Sequence, residues 1–316
     1  MDSIANLERD IRNLINQPRK KQSLLMDSTR WNQLCSSMDV IGDTELAINA
    51  YLESIDKPAN TGELYILLYG ILQVLFVQQD AVRHLAEALD LESEPNKNLT
   101  AIREIRNDST GHPTKREQGK GKGKEKEKWF NFITRISMSR DGFTLMSTYP
   151  NRNSTFKQVD VNQLIREQRN ELRKILNDVI DYLQRESMEH KNMYKDEKLA
   201  DIFPQTMLYF YEKISETIFG NAPPEFGLGF LDIIAEVVQK FKAALEERQI
   251  FQAYNVADDF EWAEYSLSKL HQYFNGTSEV VLNDKDAYIY LSFIQKQLSD
   301  LHQIAKEIDD EYESKE

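Results

Sequence analysis

The sequence predicts a mostly α-helical protein, a helical bundle with one inserted β-hairpin and a second helical domain. Three observations carry this reading. Hydrophobic residues fill 41% of 316 positions, enough to bury a core. Glycine and proline number 12 and 8, too few for an all-β architecture rich in turns. Long segments also repeat their apolar residues at helical spacing. At roughly 100 to 200 residues per domain, the length corresponds to two domains.

The elements follow in chain order. Leu7, Ile11, Leu14 and Ile15 mark a short amphipathic helix, and further helical segments are expected around 29–37 and 44–54. Asn60 with Glu63 three residues later reads as a capping box that opens a long helix reaching about Leu89. Its apolar positions run almost all the way round, so it belongs at the centre of a bundle. The next helix starts near Thr100, turns Ile102 and Ile105 inward and is ended by Gly111 and Pro113. Arg140-Asp141-Gly142 lies between two segments rich in β-branched and aromatic residues, which predicts a hairpin at about 130–149. A helical stripe from Val161 to Met193 predicts one long helix that packs back on the bundle, and helical patterns follow at 199–219, 226–250, 256–274 and 285–312. The expected organisation is therefore a bundle over 1–114, a Gly/Lys-rich loop over 115–128, the hairpin over 129–150, the long helix over 151–198 and a helical domain over 199–316.

Charge separates these blocks. The formal net charge is −13, yet residues 1–199 carry 30 basic and 30 acidic side chains while residues 200–316 carry 9 and 22. An acidic protein repels nucleic acid in general, but a basic site in the neutral part remains allowed. Lys115 to Lys128 is such a stretch, with 7 basic and 3 acidic residues and alternating glycine and lysine. The single cysteine, Cys35, supplies no internal disulfide and no zinc cluster, and this places the chain in a reducing cytoplasm. The first ten residues are charged and resemble no signal peptide. The most apolar stretch, Leu64 to Val77, is shorter than the ~18 to 20 residues of a membrane span, so no membrane association is expected.

The usual catalytic signatures are absent: no phosphate-binding glycine loop, no zinc-protease helix motif and no nucleophile elbow occur. The five histidines form no pair at metal-ligand spacing, and Asp258, Asp259 and Glu261 read as carboxylates complementing the first turn of a helix. One segment stands apart, Ala101 to Thr114, reading AIREIRNDSTGHPT. In it Arg106 is followed by the polar Asn107 and, six positions on, by His112 at the end of a helix. This resembles the R-x4-6-H motif of the HEPN (higher eukaryotes and prokaryotes nucleotide-binding) superfamily. The match covers the amino-terminal block. An Arg and a His at matching spacing recur at Arg185 and His190, but those lie inside the long predicted helix ~140° apart around its axis, and read as a solvated helix face.

The resemblance implies a helical bundle acting as a metal-independent endoribonuclease, a defence or toxin effector, with Arg106, Asn107 and His112 as its catalytic residues and no cofactor or metal. The chemistry suits those residue types. Attack by a ribose 2′-hydroxyl needs a proton acceptor, a proton donor for the leaving oxygen and positive charge over the developing phosphorane, which imidazole and a guanidinium fork supply. One imidazole cannot fill both proton-transfer roles in one step. A homodimer through the amino-terminal bundle, pairing motifs across a two-fold axis, resolves this and matches the family's habit. Lys115, Arg116, Lys120, Lys122 and Lys124 are the candidate RNA-binding residues beside it. The sequence departs from the nucleotidyltransferase-paired type of HEPN toxin, whose acceptor tyrosine two residues after the His is here Thr114. The competing reading is a non-catalytic HEPN-type dimerisation module whose acidic carboxyl-terminal domain docks a protein partner.

Overall fold

The structure is a computed structural model that describes residues 3–91, 96–118, 127–254, 256–277 and 282–313. It is mostly helical, with ten α-helices and one four-stranded antiparallel sheet among the described residues. The chain divides into two compact units: residues 1–16 with 27–183, and residues 17–26 with 184–316. The expected boundary at 198/199 therefore shifts to 183/184, and the expected 1–114 block gives up a short helix. The ion pairs that Arg19 and Lys20 make with Glu186, at 2.8 and 2.5 Å, hold that helix with the second unit.

The first unit begins with α1 (Ile4–Ile15), whose Ile4, Leu7, Ile11 and Ile15 are buried on one stripe. The helix that leaves this block is α2 (Pro18–Leu25). The segments expected at 29–37 and 44–54 are one continuous helix, α3 (Ser28–Glu53). Gly42 does not break it, because the buried row Leu34, Met38, Ile41, Glu45, Ile48 and Tyr51 continues past it at helical spacing. The helix α4 (Thr61–Ala88) opens on the expected capping box, with both Asn60–Glu63 bonds present. It is long and apolar enough to cross a membrane by length and composition, with a mean hydropathy of 1.4 over its best window. Here Leu68, Ile71, Leu72, Leu75, Val82 and Leu85 are buried as a bundle core. A buried polar chain sets helix register: Gln78 donates to Glu45 at 2.8 Å, Gln168 to Gln78 at 2.8 Å, and Arg169 pairs with Glu45 at 2.6 Å.

The expected hairpin is one part of a larger sheet in the order β1 (Arg116–Gln118), β2 (Glu127–Ile133), β3 (Gly142–Tyr149), β4 (Arg152–Asp160). β2 and β3 do pair, Ile133 against Leu145, but not through a tight turn at Asp141-Gly142. Residues 134–141 form a longer connection with a 3-10 turn at Arg135–Ser137. Gly142 is needed for a different reason, since a β-carbon there would sit 1.9 Å from the Val159 carbonyl oxygen. The tight turn is at Pro150-Asn151, between paired Tyr149 and Arg152. Residues 152–160, expected within the long-helix block, form the edge strand β4, exposed except at Val159 and mostly polar apart from Phe156 and Val159. The inner face of the sheet (Phe143, Leu145, Val159) joins Ile48, Leu72, Ile102, Ile105 and Leu164 in one core.

The helix α6 (Val161–Tyr194) begins where the sequence places it and carries the chain through the 183/184 division. In the second unit α7 (Met207–Ile218), α8 (Pro224–Glu247), α9 (Ala257–Asn275) and α10 (Asp284–Glu313) match the four expected patterns. They enclose a core with Phe203, Phe241 and Phe260 at its centre.

Candidate functional site

The motif sits at the end of α5 (Lys97–Arg106), and its start is tied down first. The Asn96 side chain caps the helix by accepting from the Asn98 and Leu99 amides. Glu171 of α6 accepts from the side-chain amides of both Asn96 and Asn98 at 2.9 Å. The Lys174 ammonium and those two amides hold the Glu171 carboxyl down at about 2. Ile102 and Ile105 are buried inward, and Arg103 and Arg106 lie on the flank of the helix that faces α4, against Phe76.

Beyond Arg106 the chain makes a π turn, Asn107–Gly111, closed by the His112 amide donating to the Asn107 carbonyl at 2.8 Å. Such wider turns cost hydrogen-bond geometry and recur at functional sites. The chain leaves the helix at His112, with φ −139° and ψ 53°. Gly111 is not in the left-handed region. It makes room: a β-carbon at 111 would lie 2.7 Å from Arg106 Nη1 and 3.4 Å from Asn107 Oδ1. The Arg106 guanidinium thus lies against the backbone one residue before His112.

That guanidinium is fixed from three sides. Its Nε and Nη2 donate to Gln73 Oε1 at 3.1 and 2.7 Å, its Nη1 donates to Asn107 Oδ1 at 3.1 Å, and its carbon lies 4.4 Å from the Phe76 ring centroid. Three of the five N–H donors are used among the described residues. One N–H on each terminal nitrogen remains, the two-pronged arrangement that grips a phosphate. Arg103 shares the Phe76 ring at 4.2 Å and is held by Asp80 at 3.0 Å. His112 is exposed, and its ring has no hydrogen-bond or ion-pair partner among the described residues.

The sequence reading missed the residues that hold this turn. The Asp108 carboxylate accepts from Asn131 Nδ2 at 3.1 Å, from Arg116 Nε at 3.1 Å and from the Trp129 indole. Burial pushes its carboxyl up from the usual range, against the pull of Arg116. Asn131, buried in β2, grips the turn twice: its side chain reaches Asp108, and its backbone N–H donates to the Pro113 carbonyl at 2.8 Å, with His112 between the two. A polar Asn at an inward position of the otherwise apolar stretch WFNFI within β2 was the available signal.

Of the expected RNA-binding residues, Lys120, Lys122 and Lys124 lie outside the described residues. Lys115 is paired with Glu117 at 2.6 Å. Arg116 is committed to Glu104 and Asp108 and lies 5.6 Å over Trp129, which itself stacks on Tyr149. Lys115 and Arg116 are thus both held by carboxylates of the chain itself.

The second Arg…His pair also differs from its expected solvated face. Arg185 is exposed, but His190 is half-buried, with Nε2 3.0 Å from the Arg248 carbonyl and Nδ1 3.3 Å from the Tyr312 hydroxyl. Burial, with help from Arg19, pushes its imidazole below the usual range. Asp258 and Asp259 do occupy the first turn of α9, and burial followed by Asp300 raises the Asp259 carboxyl. Among the described residues no group of three or more His, Cys, Asp and Glu is arranged to hold a metal. Compared with known proteins, the chain matches no family model, no curated protein and no solved structure.

Proposed function

We propose that the chain is a metal-independent endoribonuclease of the HEPN R-x4-6-H type, a cytoplasmic defence or toxin effector working as a homodimer. The observation that carries this is the clamp on Arg106. Gln73, Asn107, Phe76 and the bare backbone of Gly111 fix its guanidinium with two N–H groups to spare, next to a turn whose His112 has no partner, both among the described residues. In the reaction His112 takes the 2′-hydroxyl proton and the 2′-oxygen bonds to phosphorus. The P–O5′ bond breaks, and the leaving oxygen receives a proton from the second protomer's His112. The products are a 2′,3′-cyclic phosphate and a 5′-hydroxyl, with Arg106 bearing the charge of the phosphorane between them. Dimerisation through the bundle draws support from α4, where Ile66 and Tyr69 are exposed one to three turns before Gln73 and Phe76.

The full chain, incubated with RNA in a chelator, is expected to yield cyclic-phosphate ends and to sediment at about twice 36.9 kDa. Intact RNA across a range of sequences would leave the non-catalytic dimerisation module, with the acidic second unit as its docking surface for a protein partner.

A further inference from the structure

The strand that grips the motif turn has a second face. In β2 the side chains alternate, so Asn131 points to the turn and Phe130 and Phe132 point the other way. The register sets Phe132 opposite Met146 and Met146 opposite Phe156, one row across three adjacent strands. At the usual strand spacing that row spans about 10 Å. The aromatic rings on this face are in water: Phe132 and Phe156 of the row are 50% and 66% exposed, and Phe130, opposite Thr148, is 36% exposed. The neighbouring outward side chains are uncharged hydrogen-bonding groups, Thr144 bonded to Gln158 at 2.8 Å and Thr148 to Ser154 at 3.1 Å.

Charge selects the occupant. In a chain of net charge −13, the outward positions between the Thr144–Gln158 and Phe130–Thr148 pairs include no carboxylate, and the next outward residue on β2 is the exposed Lys128. Glu117, opposite Lys128 in the β1–β2 register, is paired with Lys115, and Asp160 accepts from the Gln163 amide at the start of α6. A flat sheet face bearing separated aromatic rings and hydroxyls, beside positive charge, has the makings of a surface on which unpaired bases stack. A duplex hides its base faces and offers nothing for these rings.

From this we infer that the outward face of β2–β4 is a stacking platform for single-stranded RNA, built around Phe132 and Phe156. The inference rests on the ribonuclease reading and sharpens it, naming an unpaired strand as the substrate. The platform and the motif lie on opposite faces of one strand, so the bases held are not those at the scissile phosphate. A strand reaching both passes round the edge of the sheet, and the platform contributes to binding and not to the chemical step.

The test uses the full chain and a fluorescent single-stranded RNA of mixed sequence, alongside the same strand in a duplex. Phe132→Ala and Phe156→Ala should each weaken single-strand binding about ten-fold, the loss typical for one stacked base, and should raise KM by a similar factor while kcat holds. Phe132→Tyr should retain binding and Phe132→Leu should lose it, since a ring is required and apolar bulk is not enough. Equal affinity of single strand and duplex, or binding indifferent to both alanine variants, overturns the inference. So does a fall in sedimenting mass for Phe132→Ala with RNA binding intact, which would make the face a protein contact. If the chain binds single strands in a Phe132-dependent way yet never cleaves them, the platform stands and the ribonuclease reading falls.

Discussion

Two Arg…His pairs of nearly equal spacing end in opposite surroundings. Arg185 and His190 stay within the regular turns of α6, and the imidazole is absorbed into packing by the Arg248 carbonyl and the Tyr312 hydroxyl. Arg106 and His112 are separated by a π turn, and the roles invert: the arginine is clamped and the histidine is left open. Spacing alone is therefore a poor guide to chemistry. What distinguishes the pairs is where the backbone stops being an α-helix, and which side chains hold it there.

The largest expected effect tests that inversion. Arg106→Ala should lower ribonuclease turnover about a thousand-fold, as should Arg106→Lys, because an ammonium reproduces neither the Gln73 bonds nor the remaining fork. Arg185→Ala should leave the rate unchanged, and single-turnover cleavage measures all three. Next comes Gly111→Ala, whose new methyl would lie 2.7 Å from Arg106 Nη1. Displacing the guanidinium by about 1 Å should cost on the order of a hundred-fold in rate, with the circular dichroism spectrum unchanged. A fully active Gly111→Ala would show that the clamped position of Arg106 is not the working one.

His190 should answer to stability and not to rate. His190→Ala should cost about 1–3 kcal/mol by leaving polar partners unbonded in thermal unfolding. The folded state holds this imidazole below its ordinary value of 6.5, so folding favours the neutral ring. Its contribution is therefore complete above about pH 6.5 and is lost as pH falls through the lowered value. Unfolding of the wild type should show that acid-side loss, and His190→Gln should lack it. The smallest effect belongs to Glu171→Gln, which frees the start of α5. Because Glu171 is held at about 2 against an ordinary 4.5, the stability difference between wild type and variant should be complete above about pH 4.5 and close as pH falls toward 2.

The sequence made local structure legible and long-range capture much less so. The Asn60–Glu63 box and the stripe beginning at Val161 placed the starts of α4 and α6, because both signals are complete within a few turns. β4 was not legible: it carries one apolar residue on each face, Phe156 and Val159, among polar ones, as an edge strand tolerates, and that leaves no alternation to read. The move of α2 into the second unit depends on ion pairs across more than 160 residues, which no local pattern encodes. At the site, Arg106, Asn107 and His112 were visible as a motif. The clamp of Gln73 and Phe76 from α4 and the double grip of Asn131 come from elements distant in sequence, and only the odd polar residue in WFNFI hinted at them.

The most direct test of the central claim compares the two histidines on one substrate. Cleavage of a single-stranded RNA by the full chain in chelator should fall by roughly a thousand-fold for His112→Ala and stay within about two-fold of wild type for His190→Ala, at a temperature where both remain folded. A His112→Ala protein that cleaves at the wild-type rate, or a His190→Ala protein that is folded and inactive, would contradict the account and move the chemistry away from the π turn.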